Sequence, residues 1–145
     1  MYIGNEIIEE GENLTAKAFH LQIVELPVRN VKESMQWYTD LFGVDLCFPY
    51  NEGDDGAWLN LNGLGFGLIR SDDQPKMDFV SASGERKPFF TFQVDNIKEL
   101  YEEMNQKGVE VKEMVYKQGG GYSFQFFDPS GNFLGIWGGW PKENE

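Results

Sequence analysis

The chain lacks the sequence features of a disulfide-bonded, secreted or membrane-spanning protein. It holds one cysteine, Cys47, which cannot form an intramolecular disulfide and lies in an apolar run where a small buried side chain is expected. No apolar run approaches the roughly 18 residues that a membrane helix needs, and the first residues show no basic region followed by an apolar stretch. We therefore expect a cytoplasmic protein.

Basic residues are also few, with 12 Lys and Arg against 24 Asp and Glu and a formal charge of −12. A field of that sign repels phosphate backbones and anionic lipid headgroups, so neither nucleic acid nor a membrane surface is an expected partner. Solubility is a sufficient reason for such acidity, so the charge indicates little about function. With 41% hydrophobic and 15% aromatic residues, the 145-residue chain can bury the core of one compact domain.

The most informative pattern is an internal repeat. Residues 28–33 match 94–99, and residues 43–46 match 108–111. In each copy a run of aromatic and β-branched residues predicts a strand, and an Asn followed three residues later by Glu predicts a capped helix. Three further strands complete each copy. The sequence therefore predicts a β-α-β-β-β unit that occurs twice.

The predicted elements occupy most of the chain. The helices are expected to begin after the caps Asn30 and Asn96 and to run to about Leu41 and Gln106. The predicted strands span residues 19–26, 44–50, 56–61 and 64–70 in the first copy, and 89–94, 109–116, 121–127 and 132–138 in the second.

One domain with two repeats follows from this pattern. Its parts are an N-terminal extension at 1–17, a single domain at 18–140 divided into repeat one (18–70), a linker (71–88) and repeat two (89–140), and a tail at 141–145. A linker of this length is either functional or a plain surface crossover between the repeats.

Four motifs in this order resemble the glyoxalase/bleomycin-resistance/extradiol-dioxygenase superfamily, also called vicinal oxygen chelate proteins. They are Leu26-Pro27-Val28-Arg29-Asn30-Val31, then Trp37-Tyr38 with Leu41-Phe42-Gly43, then Val94-Asp95-Asn96-Ile97, then Phe127-Asp128-Pro129-Ser130-Gly131-Asn132. The resemblance covers about residues 18 to 140. It implies an α+β fold in which two β-α-β-β-β repeats form a cupped mixed sheet around a cleft, and a homodimer in which modules are sometimes exchanged.

Enzymes of that superfamily bind a divalent metal in the cleft, through ligands on the first and last strands of each repeat. Carried over by the spacing of the family motifs, the four positions are Ile23, Leu68, Phe89 and Gly135, none of which can bind a metal. His20 lies three residues from Ile23, so it is expected on the other face of the strand. We therefore predict no metal and no cofactor.

The resemblance and the alternation of strand residues also predict which side chains line the cleft. The expected ligand-binding residues are Glu25, Trp58, Arg70, Thr91, Gln93, Tyr122 and Trp137, with Phe124 as a further aromatic candidate. The aromatic residues could stack on a flat ligand or belong to the core. Arg70 has three interpretations: an anion clamp, an ion pair with Glu25, or a side chain that leaves the cleft at the strand end.

Three functions remain open at this point. The leading interpretation is a metal-independent protein that binds a small organic molecule, with a resistance or detoxification role. The alternative is a metal-free lyase or isomerase-like enzyme that uses the same cleft, with Glu25 as general base and Arg70 stabilising anionic charge. The third is an interaction domain whose cleft is filled by its own side chains. The sequence leaves open whether any reaction is catalysed.

Overall fold

The computed structural model describes Lys17 and residues 20–142, within which it has nine strands and two helices. In chain order the elements are β1 (Ile23–Val28), α1 (Val31–Phe42), β2 (Gly56–Leu61), β3 (Leu64–Arg70), β4 (Asp78–Val80), β5 (Arg86–Pro88), β6 (Thr91–Gln93), α2 (Ile97–Gln106), β7 (Val115–Lys117), β8 (Gly121–Phe127) and β9 (Phe133–Trp137). These elements confirm the α+β fold of two related repeats. Most of the predicted N-terminal extension lies outside the described residues.

Each repeat builds its own curved, mixed sheet. The strand order is β1-β3-β2 in the first repeat and β6-β9-β8-β7 in the second, and in each sheet the first strand runs parallel to the last. The predicted strand at 44–50 forms only one bridge, from Leu46 to Leu59. Since this segment lies loosely at the sheet edge, Cys47 is exposed, and the expectation that it is buried is wrong.

The two helices begin at the predicted asparagines but are capped differently. The side chain of Asn30 accepts a hydrogen bond from the backbone N–H of Glu33 at 2.9 Å, and Gly43, with a φ of 64°, ends the helix in a left-handed conformation. Asn96 makes no such side-chain bond at the start of α2. None of the helices in the described part of the chain is long and apolar enough to cross a membrane.

The two sheets share one core, into which the helix-facing side of each sheet packs. Phe66 of β3 contacts Phe92 of β6 directly, with ring centroids 5.2 Å apart, and Trp37 of α1 stacks on Phe126 of β8. Since alternate residues of a strand point to opposite faces, the second face of each sheet points away from this core. We name these surfaces the first open face, with Ile23, Glu25, Trp58, Gly65 and Gly67, and the second open face, with Thr91, Gln93, Gln125, Gly135 and Trp137.

A turn in the second repeat, residues 128–132, holds the two repeats together, and we name it the clasp. The hydroxyl of Tyr38 donates to Asp128 Oδ2 at 2.8 Å, and Asn132 Nδ2 donates to the carbonyl of Pro27 at 2.9 Å. Burial, together with the negative charge of Asp128, raises the pKa of Tyr38 well above its ordinary value. The clasp thus fixes α1 and β1 to the second sheet.

The predicted linker contains a hairpin, β4 and β5, that packs beside the second open face. Arg86 pairs with Asp78 across this hairpin and places its guanidinium 4.1 Å from the centroid of the Phe133 ring. Pro88 lies close to the backbone of Gly135. The linker is therefore ordered structure rather than a plain crossover.

Candidate ligand-binding faces

The first open face is built on glycines under an aromatic ring. Glu25, Gly67 and Trp58 are register partners on three neighbouring strands and form one row across the sheet. A Cβ atom at Gly67 would fall 2.6 Å from the indole of Trp58, so the ring rests on bare backbone. Trp58 is half-buried, while Glu25 and Ile23 are exposed beside it. The result is a flat apolar surface with one carboxylate.

The second open face is more polar. Thr91 pairs with Gly135 and Gln93 with Trp137, so the four residues form two adjacent rows. A Cβ atom at Gly135 would fall 2.7 Å from Thr91 Oγ1, and Trp137 Nε1 donates to the carbonyl of Gly120 at 2.7 Å. Thr91 and Gln93 are exposed and Trp137 is half-buried. Hydroxyl and amide groups therefore lie beside an indole edge.

The register corrects one of the four metal positions carried over from the family. Thr91 and Glu25 are equivalent, since each lies two residues after the position predicted for a histidine, and they pair with Gly135 and Gly67. The counterpart of Gly135 is therefore Gly67. Leu68, the predicted counterpart, is fully buried in the core on the opposite face.

A divalent metal does not fit these positions. With the correction they are Ile23, Gly67, Phe89 and Gly135, which supply no oxygen, nitrogen or sulfur ligand from a side chain. The two glycine positions are covered by neighbouring side chains. Among residues 20–142 no group of three or more His, Cys, Asp or Glu could hold a metal ion. His20 Nε2 lies 2.7 Å from Gln22 Oε1 at the start of the first sheet.

Arg70 lies outside any cleft, and its predicted place there is wrong. It shares the helix side of the strand with Leu68, and at the end of β3 its side chain turns to solvent. Its Nε donates to Asp55 Oδ1 at 3.1 Å and its Nη1 to Asp72 Oδ1 at 3.0 Å, with 48% of the side chain exposed. Of the three interpretations, the side chain that leaves at the strand end is correct, and its partners are these two acids instead of Glu25.

Tyr122 and Phe124 also lie on the helix side of their sheet, so the prediction that they share a cleft with Trp137 is wrong. The ring centroid of Tyr122 lies 4.7 Å from Lys98 Nζ on α2. Phe124 is fully buried and packs against Tyr101 of α2, with ring centroids 4.8 Å apart. Both aromatic residues belong to the packing of α2 on the second sheet.

The remaining predicted residues form two groups rather than one. Glu25 and Trp58 lie together on the first open face, and Thr91, Gln93 and Trp137 lie together on the second. Because both sheets turn their helix sides to the common core, the two open faces look outward. Within one chain they do not enclose a cleft.

A groove of about 850 Å³ runs along the unpaired edge of β6. The carbonyl of Phe90 and the N–H of Val94 bond to β9, so the intervening backbone groups of Thr91 and Gln93 point away from that strand. Aromatic and aliphatic side chains line the groove, among them Phe42, Leu64, Phe66, Phe90 and Phe92. Sequence reasoning missed this groove because it arises from the packing of α1 against the second repeat.

Comparison with known proteins agrees with the fold and the resemblance. The family model described as Glyoxalase/Bleomycin resistance protein/Dioxygenase superfamily matches residues 20–136. The chain is similar to Glyoxylase I 4 of Arabidopsis thaliana, with 25% identity over 119 residues that span 80% of this chain and 68% of that protein.

Two solved structures illustrate the similarity of fold. One is the genomically encoded fosfomycin resistance protein FosX from Listeria monocytogenes, with a TM-score of 0.67, 18% identity and coverage of 84% of this chain and 94% of that chain. The other is lactoylglutathione lyase from Agrobacterium tumefaciens, with a TM-score of 0.62, 16% identity and coverage of 86% and 95%. At these identities the likeness shows the fold alone.

Proposed function

Since the chain belongs to the glyoxalase/bleomycin resistance protein/dioxygenase superfamily, we propose that it binds a small organic molecule without a metal ion, on the open faces of its sheets. The observation that carries this proposal is Gly67 beneath the ring of Trp58. Where the family resemblance implies an acidic metal ligand, this chain has backbone covered by an indole. An exposed, flat apolar surface of this kind suits stacking with an organic ring.

The chemistry of the two faces describes the ligand. The first face offers Ile23, of which 55% is exposed, and Trp58 for apolar contact, with Glu25 beside them. The second face offers the hydroxyl of Thr91 and the amide of Gln93 for hydrogen bonds. A flat amphipathic molecule with at least one polar group matches this combination.

We further propose that the role is sequestration of such a molecule in the cytoplasm, of the resistance or detoxification kind. Support comes from the description of the matched family, which names bleomycin resistance, and from the similarity to Glyoxylase I 4 of Arabidopsis thaliana. The metal-free enzyme has less support, because Arg70 pairs with acids at the strand end and is not brought together with Glu25. The first open face therefore carries Glu25 without the arginine that was suggested as its catalytic partner.

The complete cleft, in this proposal, forms between two copies of the chain. Among the described residues β1 and β6 each pair on one side only, so both leave a free edge. Placing β1 of one chain beside β6 of a partner brings the first open face next to the partner's second open face. Two-fold symmetry then creates two identical clefts in a homodimer.

Ligand binding is tested first by native mass spectrometry of protein purified from its host, which should reveal a retained small molecule. A defined probe is the aromatic dye anilinonaphthalene sulfonate, followed by fluorescence. We expect Trp58→Ala to weaken dye binding about tenfold, which corresponds to about 1.4 kcal/mol. Tyr116→Ala is the matched control, since Tyr116 is 41% exposed and lies on β7 outside both faces. Equal affinities of the two variants would contradict the proposal.

Metal independence is tested separately. The protein is incubated with zinc, nickel, manganese or iron, desalted and analysed for bound metal. We expect less than one equivalent, because the four family positions lack ligand atoms. Retention of one equivalent of metal by the wild type, lost in His20→Ala, would show a metal site and reject metal independence.

The composite cleft is tested by mass and by complementation. Light scattering at micromolar concentration should give twice the 16.6 kDa chain mass. A heterodimer of a Trp58→Ala chain with a Trp137→Ala chain should keep one unaltered cleft and one doubly altered cleft. It should therefore bind dye at half the number of sites with wild-type affinity. If each face binds on its own, the Trp58→Ala homodimer should keep wild-type dye affinity at its two unaltered second faces, which would contradict the composite cleft. A monomer mass would reject the dimer directly.

A further inference from the structure

A second cavity, of about 190 Å³, lies between the linker and the clasp. Its charged lining residues are Arg29, Lys76, Asp78 and Arg86, three cations and one carboxylate. The lining therefore carries two net positive charges in a chain whose formal charge is −12. A local field opposite to that of the whole protein favours an anion at this place.

The carboxylate in the cavity is already neutralised. Asp78, whose side chain is only 8% exposed, pairs with Arg86, and Arg86 in turn lies over the Phe133 ring. These contacts fix the pair as one wall of the cavity. Asp78 is therefore not the partner of the other two cations.

Arg29 and Lys76 are the two cations without a partner. Neither side chain forms a hydrogen bond or ion pair with any residue of the part of the chain that the structure describes. Both are exposed and both line the same cavity, one from the start of repeat one and the other from the linker. Two uncompensated cations that face one small cavity are unusual in a protein with twice as many acids as bases.

The clasp adds a buried donor. Ser130 is only 5% exposed, and its Oγ accepts the backbone N–H of Arg29 at 3.0 Å, but its own hydroxyl proton has no acceptor among residues 20–142. The nearby carboxylate of Asp128 does not compete for the cations, because it already accepts hydrogen bonds from Tyr38, from the backbone of Ser130 and from Asn132. Ser130 thus lines the cavity with a free O–H group.

We propose that this cavity binds a small oxyanion of carboxylate or phosphate chemistry, held by Arg29 and Lys76 with the Ser130 hydroxyl as a third donor. The planar guanidinium of Arg29 matches two oxygens of such a group. The volume equals roughly six water molecules, which suits a small anion or the anionic end of a larger molecule. The site lies within one chain and does not depend on the function proposed for the open faces.

The experiment is calorimetric titration of the full chain at low ionic strength, where surface charges are least screened. The probes are inorganic phosphate and phenyl phosphate. We expect the double variant Arg29→Gln with Lys76→Gln to bind phosphate at least tenfold more weakly than the wild type. The matched control, Lys98→Gln with Lys117→Gln, removes the same charge from exposed positions that do not line the cavity and should stay within about threefold of wild type.

Structural damage is separable from loss of the site. Arg29 contacts the clasp through its backbone N–H, which the substitution keeps, so circular dichroism and thermal unfolding should be unchanged. If phenyl phosphate binds more tightly than inorganic phosphate and the double variant weakens both, the site takes the anionic end of an organic ligand. If the two probes bind with equal affinity, the site takes the free anion. Equal phosphate affinity in the two double variants, or no binding by the wild type at about 10 mM, overturns the proposal.

Discussion

The two repeats share a strand order but use their last turn differently. In the first repeat a two-residue turn, Asn62-Gly63, joins β2 and β3, with both residues at positive φ, and the hydrogen bonds of Gly63 remain within repeat one. In the second repeat the equivalent turn is the five-residue clasp, which binds α1 and β1 of the first repeat. The comparison shows that duplicated topology does not imply duplicated roles, since only one turn joins the repeats.

The open faces differ in a similar way. Both carry glycine at the position where the family resemblance implies an acidic ligand, and in both a neighbour covers the glycine. In the first repeat the cover is Trp58 from β2, and in the second it is Thr91 from β6. An aromatic ring covers the glycine of the first face and a hydroxyl group covers the glycine of the second. The first face is therefore apolar and the second polar.

The largest expected effect concerns the clasp. Asp128→Ala should lower the free energy of unfolding by about 4 kcal/mol, because it leaves Tyr38 and two backbone N–H groups without their acceptor in a buried site. The matched change in the other turn is Asn60→Ala, which removes one bond to the N–H of Gly63 and should cost about 1 kcal/mol. Urea unfolding at fixed protein concentration measures both. Equal losses would show that the two turns are equivalent after all.

The glycine under Trp58 gives the next largest effect. Gly67→Ala should destabilise the protein by about 2 kcal/mol, because its Cβ atom would overlap the indole and force the ring to move. Gly65→Ala is the control two residues away, where the nearest atom would be 3.7 Å from the Cβ, an ordinary contact. Urea unfolding should show Gly65→Ala to be neutral or slightly stabilising. A neutral Gly67→Ala would mean that Trp58 does not rest on the backbone.

A smaller effect appears at alkaline pH. The pKa of buried Tyr38 is raised, so the folded state keeps the proton while the unfolded state loses it above its ordinary pKa of about 10. This contribution to stability is complete below pH 10 and is lost as pH rises from there towards the folded-state pKa. Between pH 10 and 11 the wild type should lose about 1 kcal/mol more than Tyr38→Phe. If the free energy of unfolding of the two proteins changed with pH in parallel, the loss of stability at alkaline pH would not come from Tyr38.

The smallest difference separates the helix caps. Asn30→Ala should cost about 1 kcal/mol because it removes the bond to the N–H of Glu33. Asn96→Ala removes no side-chain cap bond and should cost a few tenths of a kcal/mol or less. Thermal unfolding of the two variants makes the comparison. A larger loss of stability from Asn96→Ala than from Asn30→Ala would show that Asn96, and not Asn30, is the stabilising cap.

The sequence predicted the elements better than their faces. The strands at 56–61 and 64–70 agree with the structure because the Asn62-Gly63 turn between them is unambiguous. The face of the second strand was wrong because residues 64–69 contain no polar side chain to mark a solvent side. Glycine at alternate positions, Gly65 and Gly67, was the available signal, since it marks a face where another side chain lies close to the backbone.

The faces of the second repeat and the hairpin in the linker required tertiary information. Tyr122 and Phe124 are as plausible on a ligand face as on a helix face, and only the packing of α2 decides between them. The hairpin was missed because β4 and β5 have three residues each and derive their order from contacts with β9. Glu25 and Trp58 lie on one outward face and Thr91, Gln93 and Trp137 on the other, so the single cleft that the sequence predicted is not formed within one chain.

The clasp also has a consequence for the order of events during synthesis. Its hydrogen bonds join residues 90, 101 and 105 positions apart, so they close a loop that spans most of the domain. While repeat one emerges from the ribosome, the clasp has not yet been synthesised, so the hydroxyl of Tyr38 lacks its acceptor. The core of repeat one also lacks the rings of Phe92 and Phe126, which pack on Tyr38 and Trp37. The first repeat should therefore remain sensitive to protease on a stalled nascent chain until residue 132 has left the exit tunnel, after which the domain folds in one step.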